Sequence, residues 1–194
     1  MELNDFSYFL PEELIAQHPR PRRDISRMMV VNRGENSIRH TRFHDLPGFL
    51  QKGDVLVLND SRVIPAKIYG KKSTGAIIEA LLLNRRRENP DAQVWEVMAR
   101  PAKRIAENEE IDLGHGCRAK VLSRLSDKKW LMGFSADEGF QAYLERFGRA
   151  PLPPYIKRRK TADPDQATDR ERYQTVYAKT DGSIAAPTAG LHFS

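Results

Sequence analysis

The sequence predicts mixed α and β structure with an all-β stretch in the middle of the chain, read as an inserted domain, and three features of the residue pattern carry that reading. Asp54-Val55-Leu56-Val57-Leu58 is a continuous apolar run of the kind that forms a strand buried on both faces of a sheet. Between Lys67 and Phe134, short β-like segments recur around 76–83, 94–99, 117–122 and 129–134 without intervening amphipathic helices, which predicts a small barrel or sandwich. Phe140, Tyr143, Leu144 and Phe147 then fall at helical spacing before the chain returns to a mixed pattern. The expected division is 1–66 for the first part of the main domain, 67–149 for the insertion and 150–194 for the continuation of the main domain.

Each element has a local reason. Leu10 to Ala16 places a proline and two acids where a helical first turn favours them, and Pro19 stops it, so a short helix is expected. Met28 to Val31 and Ile38 to Phe43 flank Asn32-Arg33-Gly34, which predicts a hairpin with a loop longer than two residues. Leu46 to Leu50 reads as a brief helix closed by Gly53. Ser135-Ala136-Asp137-Glu138 reads as a capping box for a helix ended by Gly148, with its aromatic stripe in the core. Pro151 to Ile156 is expected to run extended, as a return linker, a docking strip or a rigid wall. Thr161 to Ala167 has the composition of a mobile loop. Thr168-Asp169-Arg170-Glu171 reads as a second capping box, opening a helix through about Tyr177. On that helix Tyr173 and Tyr177 share one face, and Arg170 and Gln174 the adjoining one.

Bulk properties exclude several classes. At 40% hydrophobic and 30% charged, the 194 residues contain no apolar run near the roughly eighteen needed for a membrane span. The start, Met1-Glu2-Leu3-Asn4-Asp5, lacks the basic and apolar regions of a signal peptide, so cytoplasmic residence is expected. Cys117 is the sole cysteine, which rules out an internal disulfide and argues against a structural zinc. His40 and His44 are four apart, but a strand pattern covers them and gives no common metal-facing side. No Gly-rich phosphate loop is present. The net charge of +6 is compatible with a polyanionic partner, and its cations cluster at Arg20 to Arg23, Arg85 to Arg87 and Lys157 to Lys160. Each cluster also reads as a solvated loop.

Two stretches carry chemistry. Asn59-Asp60-Ser61-Arg62 stands at the carboxyl end of the predicted strand, where it is either a turn or part of a ligand site. In Gly182 to Ser194 side chains stay small until His192, so backbone N–H groups can approach a ligand closely, while Ser183, Thr188 and Ser194 offer hydroxyls and His192 a proton acceptor near neutral pH. The alternative is an Ala/Gly-rich turn with a structural histidine.

The run Gly182 to Ser194 is similar to a signature of the S-adenosylmethionine:tRNA ribosyltransferase-isomerases of the queuosine pathway. Asn59 to Ala66, Pro151 to Ile156 and Asp169 to Tyr177 resemble three more stretches of that family, in the same order. The resemblance covers nearly the whole chain, and the family's proteins continue past Ser194, so a truncated chain is expected. It implies a mixed body with a barrel-like insertion. It also implies transfer of the ribosyl part of S-adenosylmethionine, consumed as a donor without a metal, to 7-aminomethyl-7-deazaguanine in the tRNA anticodon. The product would be epoxyqueuosine-tRNA, with adenine and methionine released. On this reading His192 is the candidate proton acceptor and Asp60 the second. Asn59, Ser61, Arg62, Tyr155, Arg170, Tyr173, Gln174, Tyr177, Ser183, Pro187, Thr188 and Gly190 are the candidate substrate contacts. Lys157, Arg158, Arg159 and Lys160 are assigned to tRNA phosphate, and a monomer is expected. The rival readings are a noncatalytic tRNA-binding module and a ribosyl hydrolase acting on a small nucleoside.

Overall fold

A computed structural model of the chain describes residues 2–86, 93–160 and 162–194. Two single turns of 3-10 helix, Leu3–Phe6 and Glu12–Leu14, precede an antiparallel hairpin of β1 (Arg27–Asn32) and β2 (Ser37–Arg42), whose connection is longer than two residues as expected. A 3-10 helix at Phe43–Phe49 follows, then the short strand β3 (Ser61–Val63). Six strands come next: β4 (Lys67–Lys72), β5 (Ile77–Arg85), β6 (Gln93–Arg100), β7 (Glu110–Gly114), β8 (Cys117–Arg124) and β9 (Lys129–Ala136). They close as an antiparallel barrel in the order β4-β5-β6-β9-β8-β7. Helices α1 (Phe140–Phe147) and α2 (Gln166–Arg172), strand β10 (Thr180–Ser183) and a 3-10 turn at Thr188–His192 complete the order. The fold is therefore mixed α+β with a closed barrel. No helix among the described residues is long and apolar enough to cross a membrane.

Period-two alternation builds the barrel. Along β8, Cys117, Ala119 and Val121 point inward and are buried, while Arg118, Lys120 and Leu122 face out. Ile78, Ala80 and Leu82 of β5 and Trp95, Val97 and Ala99 of β6 join them in one interior cluster. Closure leaves the sheet no edge and settles the barrel over the sandwich. Two of its strands were not legible. β4 carries three lysines and a glycine around Ile68, and β7 buries only Ile111 and Leu113, so each has too few apolar positions to show a period.

Burial pushes the Cys117 thiol up to about 12, with Asp112 and Asp137 adding to the effect. The folded chain should therefore resist a thiol reagent at pH 8 and react once denatured, which a single-equivalent labelling assay reads. The sign follows from linkage. The stability tied to the neutral thiol is full below its ordinary value and is lost as pH rises from there toward 12.

Helix α1 stands on the barrel through Phe140, Tyr143 and Leu144, all buried. Tyr143 O–H donates to Leu113 O at 2.8 Å, and Phe140 stacks on Phe134 at 4.4 Å. The predicted capping box is corrected. β9 continues through Ala136, so Ser135 belongs to a strand, and Gly139 at φ +88° caps the helix without a side-chain bond. Gly148 does end the helix, its backbone turning extended at ψ 154°, and a larger residue would not fit, since a Cβ there would run into the carbonyl oxygen of Pro65. Immediately beyond it, Lys67 N–H donates to Arg149 O at 3.2 Å and Arg149 N–H donates to Lys67 O at 2.8 Å. The chain entering the barrel and the chain leaving α1 thus lie side by side.

Three further expectations are corrected. Residues 54–58 form no strand; Val55 is 85% and Val57 88% exposed. An apolar run of this kind demands ladder neighbours and covering layers, and the described residues supply neither. The proline strip is not extended throughout, since Ile156 N–H donates back to Pro153 O at 3.0 Å and turns it. Helix α2 begins at Gln166 and ends at Arg172, so Thr168 and Asp169 are interior rather than capping, and Tyr173 and Tyr177 share no helical face. Asp169 is turned inward by an ion pair that outweighs the N-cap preference. Thr161 and Arg87 lie outside the described residues.

Candidate functional site

The parallel pairing of β3 with β10 sets Ser61 against Thr180, Arg62 against Asp181 and Val63 against Ser183. The polar end of the 54–62 stretch is thereby laid beside the start of the terminal run. Asn59 Oδ1 accepts from Ser61 N–H at 2.9 Å, the local bond that turns the chain into the strand, and Asp60 O accepts from Lys179 N–H at 2.8 Å. Arg62 Nε lies 3.6 Å from Asp181 Oδ1 with both side chains more than half exposed, so the pair orients more than it stabilises.

Gln174 has a definite structural task. Val63 N–H donates to its Oε1 at 3.1 Å, and its Nε2 donates to Val63 O at 3.2 Å, so the side-chain amide takes Val63 as a neighbouring strand would. Gln174→Leu should leave both backbone groups unpaired and lower stability by about 2 kcal/mol, measured as a shift of the urea midpoint at constant m.

Around this junction lies a cavity of about 340 Å³ walled by Arg62, Pro65, Gln141, Glu145, Arg170, Glu171, Tyr173, Gln174 and Asp181, with Ala150 on one side. Four of the expected substrate contacts, Arg62, Arg170, Tyr173 and Gln174, meet here. Two guanidiniums face three carboxylates. Gln141 Nε2 donates to Glu145 Oε1 at 3.2 Å and holds that carboxylate on the solvent face of α1. Burial raises the Tyr173 phenol above its ordinary value, while a bond from the Ala186 backbone opposes the rise and ties the ring to the terminal run.

Tyr177, Gly190 and His192 form a second group, outside that cavity. Gly190 is buried so closely that a Cβ would run into the Tyr177 hydroxyl and stand 2.9 Å from Thr175 Cγ2. The Phe193 ring meets Tyr177 edge-on at 5.9 Å, and Phe43 lies 5.3 Å from the His192 ring. His192 Nδ1 is 3.2 Å from Ala189 O. A carbonyl only accepts, which assigns the proton to Nδ1 and leaves the Nε2 lone pair free. Ser183 Oγ donates to Ala185 O at 2.6 Å, Pro187 caps the last 3-10 turn, and Thr188 opens it at the surface. Asp60 is exposed and lines neither group.

The basic quartet divides. Lys157 Nζ pairs with Glu12 at 2.6 Å on the surface, and Arg159 and Lys160 are exposed. Arg158 is drawn inward: Nε and Nη2 reach the two Asp169 oxygens at 2.7 and 3.0 Å, and Nη2 also donates to Gln17 O at 2.8 Å. Tyr155 is half-exposed, and its carbonyl accepts from Gln17 Nε2 at 3.0 Å, while Gln17 Oε1 accepts from Lys157 N–H at 2.7 Å.

Several positioning residues were not legible. Arg23 Nη2 donates to Glu171 O and Nη1 to Arg172 O and Leu191 O, serving carbonyls that the end of α2 leaves free and tying them to the terminal run. Burial lowers its guanidinium below the ordinary value, with Arg172 adding to that. Arg172 in turn donates to Arg20 O and Pro21 O. The cluster Arg20 to Arg23 had only composition to mark it. Glu145 sits on an amphipathic helix, where a polar residue signals solvent and nothing more.

The fold and cavity define the class: a mixed α+β protein with a closed six-stranded barrel and a charged cavity at its strand junction. The chain belongs to the family described as queuosine biosynthesis protein, whose model matches residues 3–194. It is 47% identical over 210 residues to the S-adenosylmethionine:tRNA ribosyltransferase-isomerase of Syntrophus aciditrophicus, covering 100% of this chain and 58% of that protein. It is 48% identical over 196 residues to the protein of the same name from Desulforamulus reducens, covering 100% of this chain and 54% of that one. A crystal structure of S-adenosylmethionine tRNA ribosyltransferase from Thermotoga maritima matches at 34% identity and a TM-score of 0.35, over 78% of this chain and 52% of that one. The chain spans about half the length of the curated relatives it matches.

Proposed function

We propose that the protein acts as an S-adenosylmethionine:tRNA ribosyltransferase-isomerase, a cytoplasmic monomer that moves the ribosyl part of S-adenosylmethionine onto 7-aminomethyl-7-deazaguanine in tRNA and releases adenine and methionine. The observation that carries this reading is the 47% and 48% identity, over the whole chain, to proteins of that name. The cavity at the β3–β10 junction supports it. S-adenosylmethionine bears a sulfonium, an ammonium and a carboxylate, and three carboxylates beside two guanidiniums complement that set. Arg62 and Arg170 offer forks for the substrate carboxylate, and the Tyr173 ring a face for adenine. The sulfonium acidifies the C5′ protons, so a positioned base can begin the reaction; His192, with its free Nε2, is that base in this proposal and Asp60 its alternative. Arg159 and Lys160 are the members of the quartet left to meet tRNA phosphate. The division at 66/67 and 149/150 is part of the proposal, supported by the pairing of Lys67 with Arg149.

The test is adenine release by the whole protein. Release that needs both S-adenosylmethionine and tRNA carrying the modified base supports the transferase. tRNA binding without turnover supports a noncatalytic module, and turnover without tRNA a small-nucleoside hydrolase.

A further inference from the structure

A second cavity of about 340 Å³ lies between the outer face of the barrel and the proline strip. Its floor is two cross-strand rows of outward-facing side chains: Lys67, Leu81 and Met98 in one, Tyr69, Glu79 and Arg100 in the other. Its wall is Pro153, Pro154 and Ile156. Among its titratable lining groups are five cations and three carboxylates, the reverse of the balance in the first cavity. Arg158 holds Asp169, Arg149 reaches Asp163 at 3.9 Å, and Lys157 pairs with Glu12 outside the cavity. Glu79 accepts from Tyr69 O–H at 3.0 Å, a neutral donor that leaves its charge in place. Two cations and that carboxylate remain. Among the described residues neither Lys67 nor Arg100 has a carboxylate within 4.0 Å, and the hydrogen bond of the Lys67 ammonium to Leu152 O is long, at 3.5 Å.

We propose that this cavity takes one phosphodiester-linked nucleotide of an RNA strand, its phosphate on Lys67 and Arg100 and its base against the proline wall. The inference rests on the tRNA reading above. The volume lies in the range of small-ligand sites, and the surplus of cations selects an anion. The rigid apolar wall opposite asks for a flat, uncharged face, which a nucleobase supplies and a free inorganic anion does not. The two cavities share Ala150, so a nucleotide here would neighbour whatever occupies the first. Burial lowers the Lys67 ammonium below its ordinary value; Glu79 and Asp169 oppose the shift while Arg100 and Arg149 add to it, so a bound phosphate would help hold that charge.

The test uses the whole protein and a fluorescent single-stranded RNA, titrated by anisotropy at several salt concentrations. Arg100 is exposed, so Arg100→Ala should leave the fold intact; the expected result is roughly tenfold weaker RNA binding and a salt slope smaller by about 0.7, with Arg100→Lys close to wild type. Lys67→Met should behave alike, and S-adenosylmethionine binding should not move in either variant. An unchanged slope in both variants overturns the assignment. So does full displacement of the RNA by inorganic phosphate at matched ionic strength, which would make the cavity a site for simple anions. Because the readout is binding, it stands apart from adenine release: a protein without that turnover defeats the enzyme reading while the slopes still judge the cavity.

Discussion

Asp169→Ala should lower stability by about 3–5 kcal/mol, read as a large fall in the urea midpoint. Asp169 is 7% exposed, and its two oxygens hold Arg158 through paired bonds of 2.7 and 3.0 Å. Removing the carboxylate leaves a guanidinium that is itself mostly shielded, its side chain 13% exposed, with Asp165 at 3.8 Å the one remaining carboxylate within 4.0 Å among the described residues. The loss is the penalty of an uncompensated charge rather than the net worth of the pair. The double variant Arg158→Met with Asp169→Leu should therefore be more stable than Asp169→Ala alone, and a double variant at least as damaged as the single one would show that the pair is net stabilising. The effect should reach the wall of the second cavity. Arg158 also bonds Gln17 O, and Gln17 grips the backbone at Tyr155 and Lys157, so the turned end of the proline strip depends on the same carboxylate.

That network shows why part of the molecule could be read from the sequence and part could not. The barrel strands β5, β6, β8 and β9 announce themselves because one face of each is buried and the apolar residues keep the period. The stripe of α1 is legible for the same reason. Asp169 misled because an acid second in Thr-Asp-Arg-Glu looks like part of a helix start, whereas its role is set by Arg158, eleven residues earlier and brought close only by the fold. Gln174 offered itself only as a ligand contact, and its further task, an amide that completes Val63, appears only in the fold. The run 54–58 records a requirement for burial without naming what meets it. Local periods are written in the chain; pairings across a hundred residues are not.

On the ribosyl-transfer reading, His192→Ala in the whole protein should reduce kcat for adenine release by roughly a hundredfold or more, with the KM values for S-adenosylmethionine and tRNA little changed. The argument rests on how the ring is held. Nδ1–H faces Ala189 O at 3.2 Å and Phe43 lies beside the ring, which leaves the Nε2 lone pair to accept a proton. A histidine serving only to pack would lose stability on truncation, and free imidazole would not restore the rate. If Nε2 takes the proton, added imidazole should recover part of the kcat lost in His192→Ala. His192→Gln, which can keep a polar contact but cannot act as a base near neutral pH, should fare no better than the alanine variant. A variant with normal kcat and a raised KM would make His192 a positioning residue. Normal values of both would shift the assignment to Asp60, whose replacement by asparagine should then produce the fall in kcat.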